Sequence, residues 1–426
     1  MYALVDCNNF YCSCERVFDV ELRNKPIVVL SNNDGCVISR SQESKDLGIK
    51  MGAPYFKIQE LCEDKGIFVR SSNYTLYGDM SHRIKQVLDL FSSNIEDYSI
   101  DESFLDLSDI PNKSLNEHGM DMKQTVYKWT GVPVSVGIAP TKTLAKVANH
   151  YAKKNSFTGG VFVINSVKEA EEILKQEAIE DVWGIGRQWS EKLRWKFNVT
   201  NAYELSQLDI LKARSFLNKL GIHTIREIKG QNCIELELES TTAKSLMRSR
   251  SFGRGVSTKK EMKEAVAEYA TRAAEKLRQK KLVARNFSVF MRTPKYRDDL
   301  AKKYSYGVFE LDVATNNTLE IVSKALETVD KIWSSGYVYG KAGIMATDLE
   351  EEGNVQQNLF IPLNNKNDKL MKALDVINNR FGKDCIKVGA MSKENNTWHM
   401  KRRFHSNRFT TNWDQLMIVH CISSVS

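Results

Sequence analysis

The sequence predicts a multidomain α+β protein in which two split βαβ units flank a helical middle. Three observations predict it. A chain of 426 residues has room for about two to four domains, each with its own core. The order β-α-β-β-α-β can be traced twice, once near the start and once between Met247 and Thr347. Between the two, residues 166–240 carry helical patterning.

In the first unit, Tyr2–Val5 reads as a short strand followed by a helix through Val17. Residues 26–70, with the turn string Ser31-Asn32-Asn33-Asp34-Gly35, form an insertion. From Tyr74 to Phe91, the residues Leu76, Met80, Ile84, Val87, Leu88 and Phe91 fall on one helical stripe. Ile95–Ile100 and Phe104–Leu107 are short strands on either side of Asp101-Glu102. A helix through Trp129 and a strand Val132–Ile138 close the set. The second unit opens with a strand Met247–Phe252 and a helix Glu261–Lys281 that turns Met262, Val266, Tyr269, Ala273 and Leu277 inward. Strands Ala284–Thr293 and Gly307–Thr315, a helix Leu319–Trp333 and a strand Ala342–Thr347 follow. The units share an architecture without a sequence repeat. After Glu350, an acidic stretch containing Gly and Asn predicts a linker into a separate tail.

Composition narrows the class. At 42% hydrophobic and 27% charged, with Gly 23 and Pro 7, the chain is neither collagenous nor wholly disordered. No apolar run approaches the ~20 residues of a membrane helix. The opening Met1-Tyr2-Ala3-Leu4-Val5-Asp6 meets an acid too early for a signal peptide, so no leader is expected. The eight cysteines form no CxxC pair, which argues against a disulfide scaffold or zinc ribbon and for reduced thiols in a cytoplasmic protein. No GxxxxGK[ST] string is present, which disfavours a P-loop ATPase. Of the formal charge of +8, the distribution says more than the sum. Residues 241–303 hold 18 Lys/Arg against 6 Asp/Glu, a net of +12, and leave the rest slightly acidic. An excess across a whole subdomain points to a phosphate-backbone surface rather than one solvated helix face.

Acids collect elsewhere. Asp6 ends the first strand and Asp101-Glu102 lies between two later ones, and a split βαβ sheet makes the first and third strands neighbours. Asp6 alone reads equally well as a strand-end cap. An acid pair inside the apolar string Tyr98-Ser99-Ile100-Asp101-Glu102-Ser103-Phe104 needs a reason, and cations supply one. Three carboxylates with an open side suit Mg²⁺, and two such ions serve in-line displacement at a phosphate.

That string, with Asp6-Cys7-Asn8-Asn9-Phe10-Tyr11 upstream, closely resembles the Y-family (translesion) DNA polymerases. Ser31-Asn32-Asn33-Asp34-Gly35-Cys36-Val37-Ile38 and Thr141-Lys142-Thr143-Leu144-Ala145-Lys146 narrow the resemblance to the UmuC type. It implies a right-hand polymerase with a ferredoxin-like palm (1–25 and 71–165), small inserted fingers (26–70), a helical thumb (166–240), a ferredoxin-like little finger (241–350) and a tail (351–426). Carried over residue by residue, it implies two Mg²⁺ ions on Asp6, Asp101, Glu102 and the Cys7 carbonyl. Tyr11 matches the ring beneath the sugar that excludes a ribose 2′-OH, and Phe10 is expected to line the same pocket; both rings read equally as core without the match. Lys45 and Lys153 match triphosphate contacts, although family members often carry Arg at the first place and an aromatic at Gln42. Ile38 is expected over the nascent base pair.

Val182-Trp183-Gly184-Ile185-Gly186-Arg187 resembles a helix-hairpin-helix, in which Gly184 and Gly186 free backbone N–H groups for a phosphate and Arg187 adds charge. Arg248, Arg250 and Arg254 are the expected phosphate contacts of the basic unit, the first two on one sheet face. Gln356-Gln357-Asn358-Leu359-Phe360 resembles the pentapeptide that docks bacterial polymerases on the β sliding clamp, with Gln356, Leu359 and Phe360 as contacts. The resemblance further implies primer–template DNA, dNTP, a processed UmuD dimer and RecA as partners, and low-fidelity translesion synthesis in the SOS response. Residues 369–417 resemble the C-terminal segment of the UmuC type, and the sequence assigns them no chemical role. A palm-fold nucleotide cyclase and a non-catalytic DNA-binding scaffold are the competing readings. The cyclase leaves the DNA-holding middle and the basic unit unexplained.

Overall fold

The computed structural model describes residues 1–111, 114–238, 243–294, 297, 299–354, 365–391 and 400–416, in two compact units. The first unit comprises Met1–Ser240 and Arg403–Ser426, the second Thr241–Arg402.

The first unit opens with strand β1 (Tyr2–Cys7) and helix α1 (Phe10–Phe18). Between them Asn9 takes a left-handed turn at φ 50°, a conformation asparagine tolerates better than most side chains. Next come β2 (Ile27–Leu30), β3 (Val37–Arg40), α2 (Gln42–Asp46), α3 (Tyr55–Asp64) and β4 (Phe68–Ser71), a small sheet of order β3-β2-β4 with its own core of Val28, Leu30, Val37 and Ile49. Then follow α4 (Tyr74–Leu88), β5 (Ile95–Glu96), β6 (Glu102–Asp106), α5 (Leu115–Thr130), β7 (Val134–Ala139), α6 (Lys142–Lys154) and β8 (Val161–Val163). The main sheet has the order β5-β6-β1-β7-β8, with β1 antiparallel to both β6 and β7. Alternation along β1 sends Ala3 and Val5 into a core shared with α1, α4 and α5, and Leu4 into another shared with α6.

The sequence reading misses β8, which pairs parallel with β7, and overextends the strand expected at Ile95–Ile100. A serine turn replaces the end of that strand. Ser99 Oγ accepts from the main-chain N–H groups of Asp101 and Glu102 and donates to Asp101 Oδ1, so the chain turns before Asp101.

Helix α6 lies against the sheet at Gly137. A Cβ there would stand 2.1 Å from Asn149 N and 2.4 Å from Ala145 O, both backbone atoms, so only glycine permits the approach. Thr141 caps α6 through Leu144 N and donates to Glu227 O at 2.9 Å. The fully buried Glu227 carboxylate accepts from Thr143 N, Cys233 N and Ile234 N, which accounts for a charge placed away from water. Glu227 ends the helical region made by α7 (Val167–Gln176), α8 (Arg187–Phe197), α9 (Ala202–Gln207), α10 (Ile210–Arg214) and α11 (Lys219–Ile228).

The second unit contains β9 (Ser245–Val256), α12 (Lys259–Gln279), β10 (Leu282–Arg292), β11 (Tyr304–Thr315), α13 (Thr318–Ile332), β12 (Tyr339–Glu351) and α14 (Asn365–Phe381). Its element order matches the first unit's, but its strand order does not. The sheet runs β11-β10-β12-β9, so the first strand lies at an edge, whereas in the first unit β1 lies inside. Each βαβ crossover still skips one strand; the two crossovers interleave differently, and element order alone allows either.

The region read as a separate tail divides between the units. Arg278 of α12 forms a two-pronged ion pair with Asp375 of α14, and Arg272 pairs with Asp384. Residues 403–416 pack on the first unit.

Gly137→Ala is expected to destabilise the first unit by at least about 3 kcal/mol, because neither backbone partner can yield without moving α6. Chemical denaturation against wild type measures it.

Candidate active site

The antiparallel register sets Asp6 of β1 directly opposite Glu102 of β6. Cys7 N donates to Asp101 O at 2.9 Å, holding the third acid beside the same strand end. Acids from two distant parts of the sequence therefore meet at one sheet rim, Asp6 facing Glu102 with Asp101 adjoining them. Burial pushes the Asp6 carboxyl up to about 7; Lys153 opposes that rise and the nearby Glu102 adds to it.

Two ammonium groups answer these acids, both from α6. Lys153 Nζ stands 2.6 Å from Asp6 Oδ2 and Lys146 Nζ 3.0 Å from Glu102 Oε2. The all-oxygen donor set, its charge answered only by flexible side chains, fits a hard divalent cation. Cys7 contributes no sulfur: burial, then the Asp6 and Asp101 charges, push its thiol well above the usual range, so its carbonyl is the available donor. His150, Glu177 and Asp181 also bring donor atoms within 4.8 Å of one another, but His150 Nδ1 is already 2.5 Å from Glu177 Oε1.

Lys146 lies within a string whose residues carried the family resemblance, yet sequence reading gave it no task. Its ammonium sits 4.4 Å from the ring centre of Tyr98 and within 5.7 Å of those of Phe104 and Trp183. Trp183 Nε1 donates to Tyr98 Oη, tying the glycine hairpin to the turn that leads into Asp101 and Glu102. No periodicity signals that link.

The remaining pocket residues are distributed over α1, α2 and β3. Tyr11 is half-buried and stacks on Tyr77 with centroids 4.5 Å apart and planes at 18°. Burial raises its hydroxyl to about 12, so the ring stays neutral. Phe10 is 3% exposed and belongs to the core, where its ring centre lies 5.7 Å from that of Tyr11. The expected lining residue thus backs its neighbour and presents no face to a sugar; the core reading of this ring describes it better. Ile38 is half-buried against the main core. Ser39 Oγ, beside it, donates to Asn9 O in the turn after Asp6. Partial burial, then the charges of Arg40 and Lys153, hold Lys45 below the usual lysine range. Lys45, Arg40 and Lys153 therefore form one cationic group, which reaches the acids through Lys153. Arg40, missed in the sequence, donates from Nη1 to Ile49 O and leaves Nε buried without a partner.

Residues 5–150 match the model of the impB/mucB/samB family, and residues 243–359 match its C-terminal domain. The protein UmuC of Salmonella typhimurium is 40% identical over 98% of this chain and 100% of its own length. The chain belongs to the impB/mucB/samB family. A MucB protein of Escherichia coli is 36% identical over 98% of this chain and 99% of its own. A DNA polymerase IV of Bacillus velezensis is 26% identical over 92% of each. A Y-family DNA polymerase chimera superimposes with a TM-score of 0.66 at 20% identity, covering 82% of this chain and 99% of the chimera, so the fold is that of the Y-family polymerases. Residues 368–419 match a domain of unknown function.

In this impB/mucB/samB chain the glycine hairpin precedes α8. Gly184, at φ +85°, has Thr224 Oγ1 2.8 Å from where a Cβ would stand; Gly186 faces open space and caps the helix. Arg187 is exposed beside Glu191. A short 3₁₀ turn, Ile179–Asp181, precedes the hairpin in place of a first helix.

Arg248, Arg250 and Arg254 are exposed on the edge strand β9. Arg248 and Arg250 stand opposite Ile344 and Ala342, on the helix-covered face, and emerge at its rim. Lys383 belongs to the same rim: burial, then the like charges of Arg272 and Arg250, lower it from its usual range. The opposite face of the sheet carries residues absent from the sequence reading. Tyr304 and Tyr306 are more than half exposed there, opposite Arg292 and Phe290 of β10, and Arg292 in turn faces Lys341. Gln356, Leu359 and Phe360 lie outside the described residues.

Arg250→Ala is expected to weaken duplex DNA binding and to lower the slope of log K against log salt by about 1. Tyr306→Ala is expected to weaken binding at an unchanged slope, because a ring contact releases no counterion. Salt-titrated anisotropy distinguishes the two effects.

Proposed function

We propose that this chain is an error-prone, DNA-template-directed DNA polymerase that extends a primer 3′-hydroxyl with dNMP past damaged bases. The observation that carries the reading is the meeting of Asp6, Asp101 and Glu102 at one sheet rim, next to a cationic cluster. Full-length similarity to UmuC and to a DNA polymerase IV supports the same chemistry. Two Mg²⁺ ions on Asp6, Asp101, Glu102 and the Cys7 carbonyl would lower the pKa of the attacking hydroxyl and stabilise the leaving pyrophosphate. Lys45, Lys153 and Arg40 grip the triphosphate, so the chain's own work is mainly positioning and charge compensation. Tyr11 stands beneath the sugar, Phe10 supports it from the core, and Ile38 covers the nascent base pair with a small surface. The glycine hairpin with Arg187, and the arginines of β9, hold primer–template DNA by its phosphates.

In this reading residues 1–25 and 71–165 form the palm, 26–70 the fingers, 166–240 the thumb and 241–350 the little finger. A processed UmuD dimer, RecA and the β sliding clamp are the proposed partners in a cytoplasmic SOS response. Among the described residues no helix is long and apolar enough to cross a membrane.

Primer extension with Mg²⁺ on a templated duplex, with those partners present, tests the chemistry. Asp101→Ala is expected to reduce extension by about a thousandfold while retaining DNA binding. Extension at the wild-type rate, or a cyclic product from NTP without template, overturns the reading. For the clamp, Leu359→Ala/Phe360→Ala is expected to abolish capture by immobilised β clamp; full retention removes that partner site.

A further inference from the structure

The polymerase reading leaves residues 403–416 without a task, and the family model that matches them is a domain of unknown function. In the structure they pack on the first unit at two aromatic anchors. Phe404 O accepts from Ser71 N at 2.9 Å, Phe404 N donates to Ser71 Oγ, and its ring meets Tyr55 edge-on. Arg403 N donates to Asp34 Oδ2 at 2.8 Å. At the other end, Phe409 stacks on Phe18 of α1 with centroids 5.1 Å apart and planes at 6°.

Between the anchors, the segment reaches a buried acid. Ser406 Oγ donates to Glu15 Oε1 at 3.0 Å. Glu15 is 1% exposed, and the same oxygen accepts Tyr77 Oη at 2.7 Å. Tyr77 is fully buried and is the ring on which Tyr11 stacks. Glu15 also sits one turn beyond Tyr11 on α1, so both ends of this chain of contacts return to the same helix. A second link runs through α4: Asn73, its N-cap, donates to Ser406 Oγ at 3.0 Å and to Asn407 O at 3.1 Å. The helix so held carries Tyr74 and Tyr77, two of the rings against Tyr11.

We propose that residues 403–409 are a strap whose Ser406 positions Tyr11 through Glu15 and Tyr77, so that the C-terminal segment sets how sharply the nucleotide pocket rejects ribose. The proposal rests on the reading of Tyr11 as the ring beneath the sugar. Burial raises the Glu15 carboxyl, and the bonds from Tyr77 and Ser406 and the nearby Arg70 charge oppose that rise. Deleting the Ser406 donor leaves that buried oxygen held by Tyr77 Oη, so the carboxylate resettles against Tyr77 and the Arg70 charge and takes the tyrosine with it.

The test is primer extension by the full-length chain with its partners, measuring incorporation from dNTP and from rNTP in parallel. Ser406→Ala is expected to raise the rNTP-to-dNTP ratio roughly three- to tenfold while dNTP incorporation stays near wild type. Tyr77→Phe, which keeps the ring and cuts the bond to Glu15, is expected to do the same. In a Tyr11→Ala background, where discrimination is already lost, Ser406→Ala should add nothing. An unchanged ratio in Ser406→Ala and Tyr77→Phe, with a raised ratio in Tyr11→Ala, overturns the strap and leaves the sugar-gate reading standing. An unchanged ratio in Tyr11→Ala overturns both. An equal fall in dNTP and rNTP incorporation marks a merely structural segment and also overturns the proposal.

Discussion

Two carboxylates set face to face across adjacent strands repel each other, and at a half-buried sheet rim water screens little of that repulsion. The register puts Asp6 and Glu102 in that position, with Asp101 beside them. Such an arrangement persists if one acid keeps its proton, as the raised Asp6 carboxyl allows, or if positive charge is delivered from outside the sheet. Helix α6 delivers it from Lys146 and Lys153, seven residues apart and so about 10 Å along the helix. Their long stems converge on acids whose Cα atoms are only about 5 Å apart. That convergence requires the helix to lie close to the strands, and the bare backbone at Gly137 allows it. Asn149, on the same helix, closes the contact by donating to Leu4 O and Ser135 O. Much of the first unit can be understood as the support of this one electrostatic arrangement.

The compensation is made of side chains that can be exchanged. A lysine on a flexible stem pairs with a carboxylate as readily as with a phosphate, and its partner is decided by which anion is nearer and less hydrated. The acids are therefore neutralised without being sealed. The supporting shell is, by contrast, fixed: Lys142 pairs with Glu96 in the interior at 2.5 Å, and Glu227 accepts the N–H of Thr143 at the start of the helix and those of Cys233 and Ile234 beyond α11. Rigid support beneath adaptable charges lets a site hold its geometry while changing its counterions.

The meeting of the acids was legible because topology alone brings the first and third strands of a split βαβ unit together. Asp6 and the Asp101-Glu102 pair needed no knowledge of side-chain contacts. Lys146 was not legible in the same way: its role depends on which face of α6 meets the sheet, and the glycine that decides this lies on another element. The strand order of the second unit escaped for a different reason, since one element order supports two interleavings. There the edge position of β9 and the aromatic face of β11 follow from packing. Phe10 illustrates the limit of motif reading, because two adjacent rings on one helix turn point to different layers, and only burial says which one is left open.

The strap marks the far end of that scale, since its partners, Glu15 and Ser406, are separated by nearly the whole chain. The segment around it, Arg402-Arg403-Phe404-His405-Ser406-Asn407-Arg408-Phe409, is polar enough to read as solvated. It stays on the body because Phe404 and Phe409 each find a ring, and because Glu15 would otherwise be a buried carboxylate with too few donors. The second of these reasons is the stronger. Aromatic anchors explain why a peptide docks but not where its hydroxyl points, whereas an acid inside the core fixes one atom of the strap to one atom of the pocket. A contact of that kind transmits position: to move Ser406 is to change what shares the Glu15 oxygen with Tyr77 Oη, and Tyr77 is the surface against which Tyr11 rests.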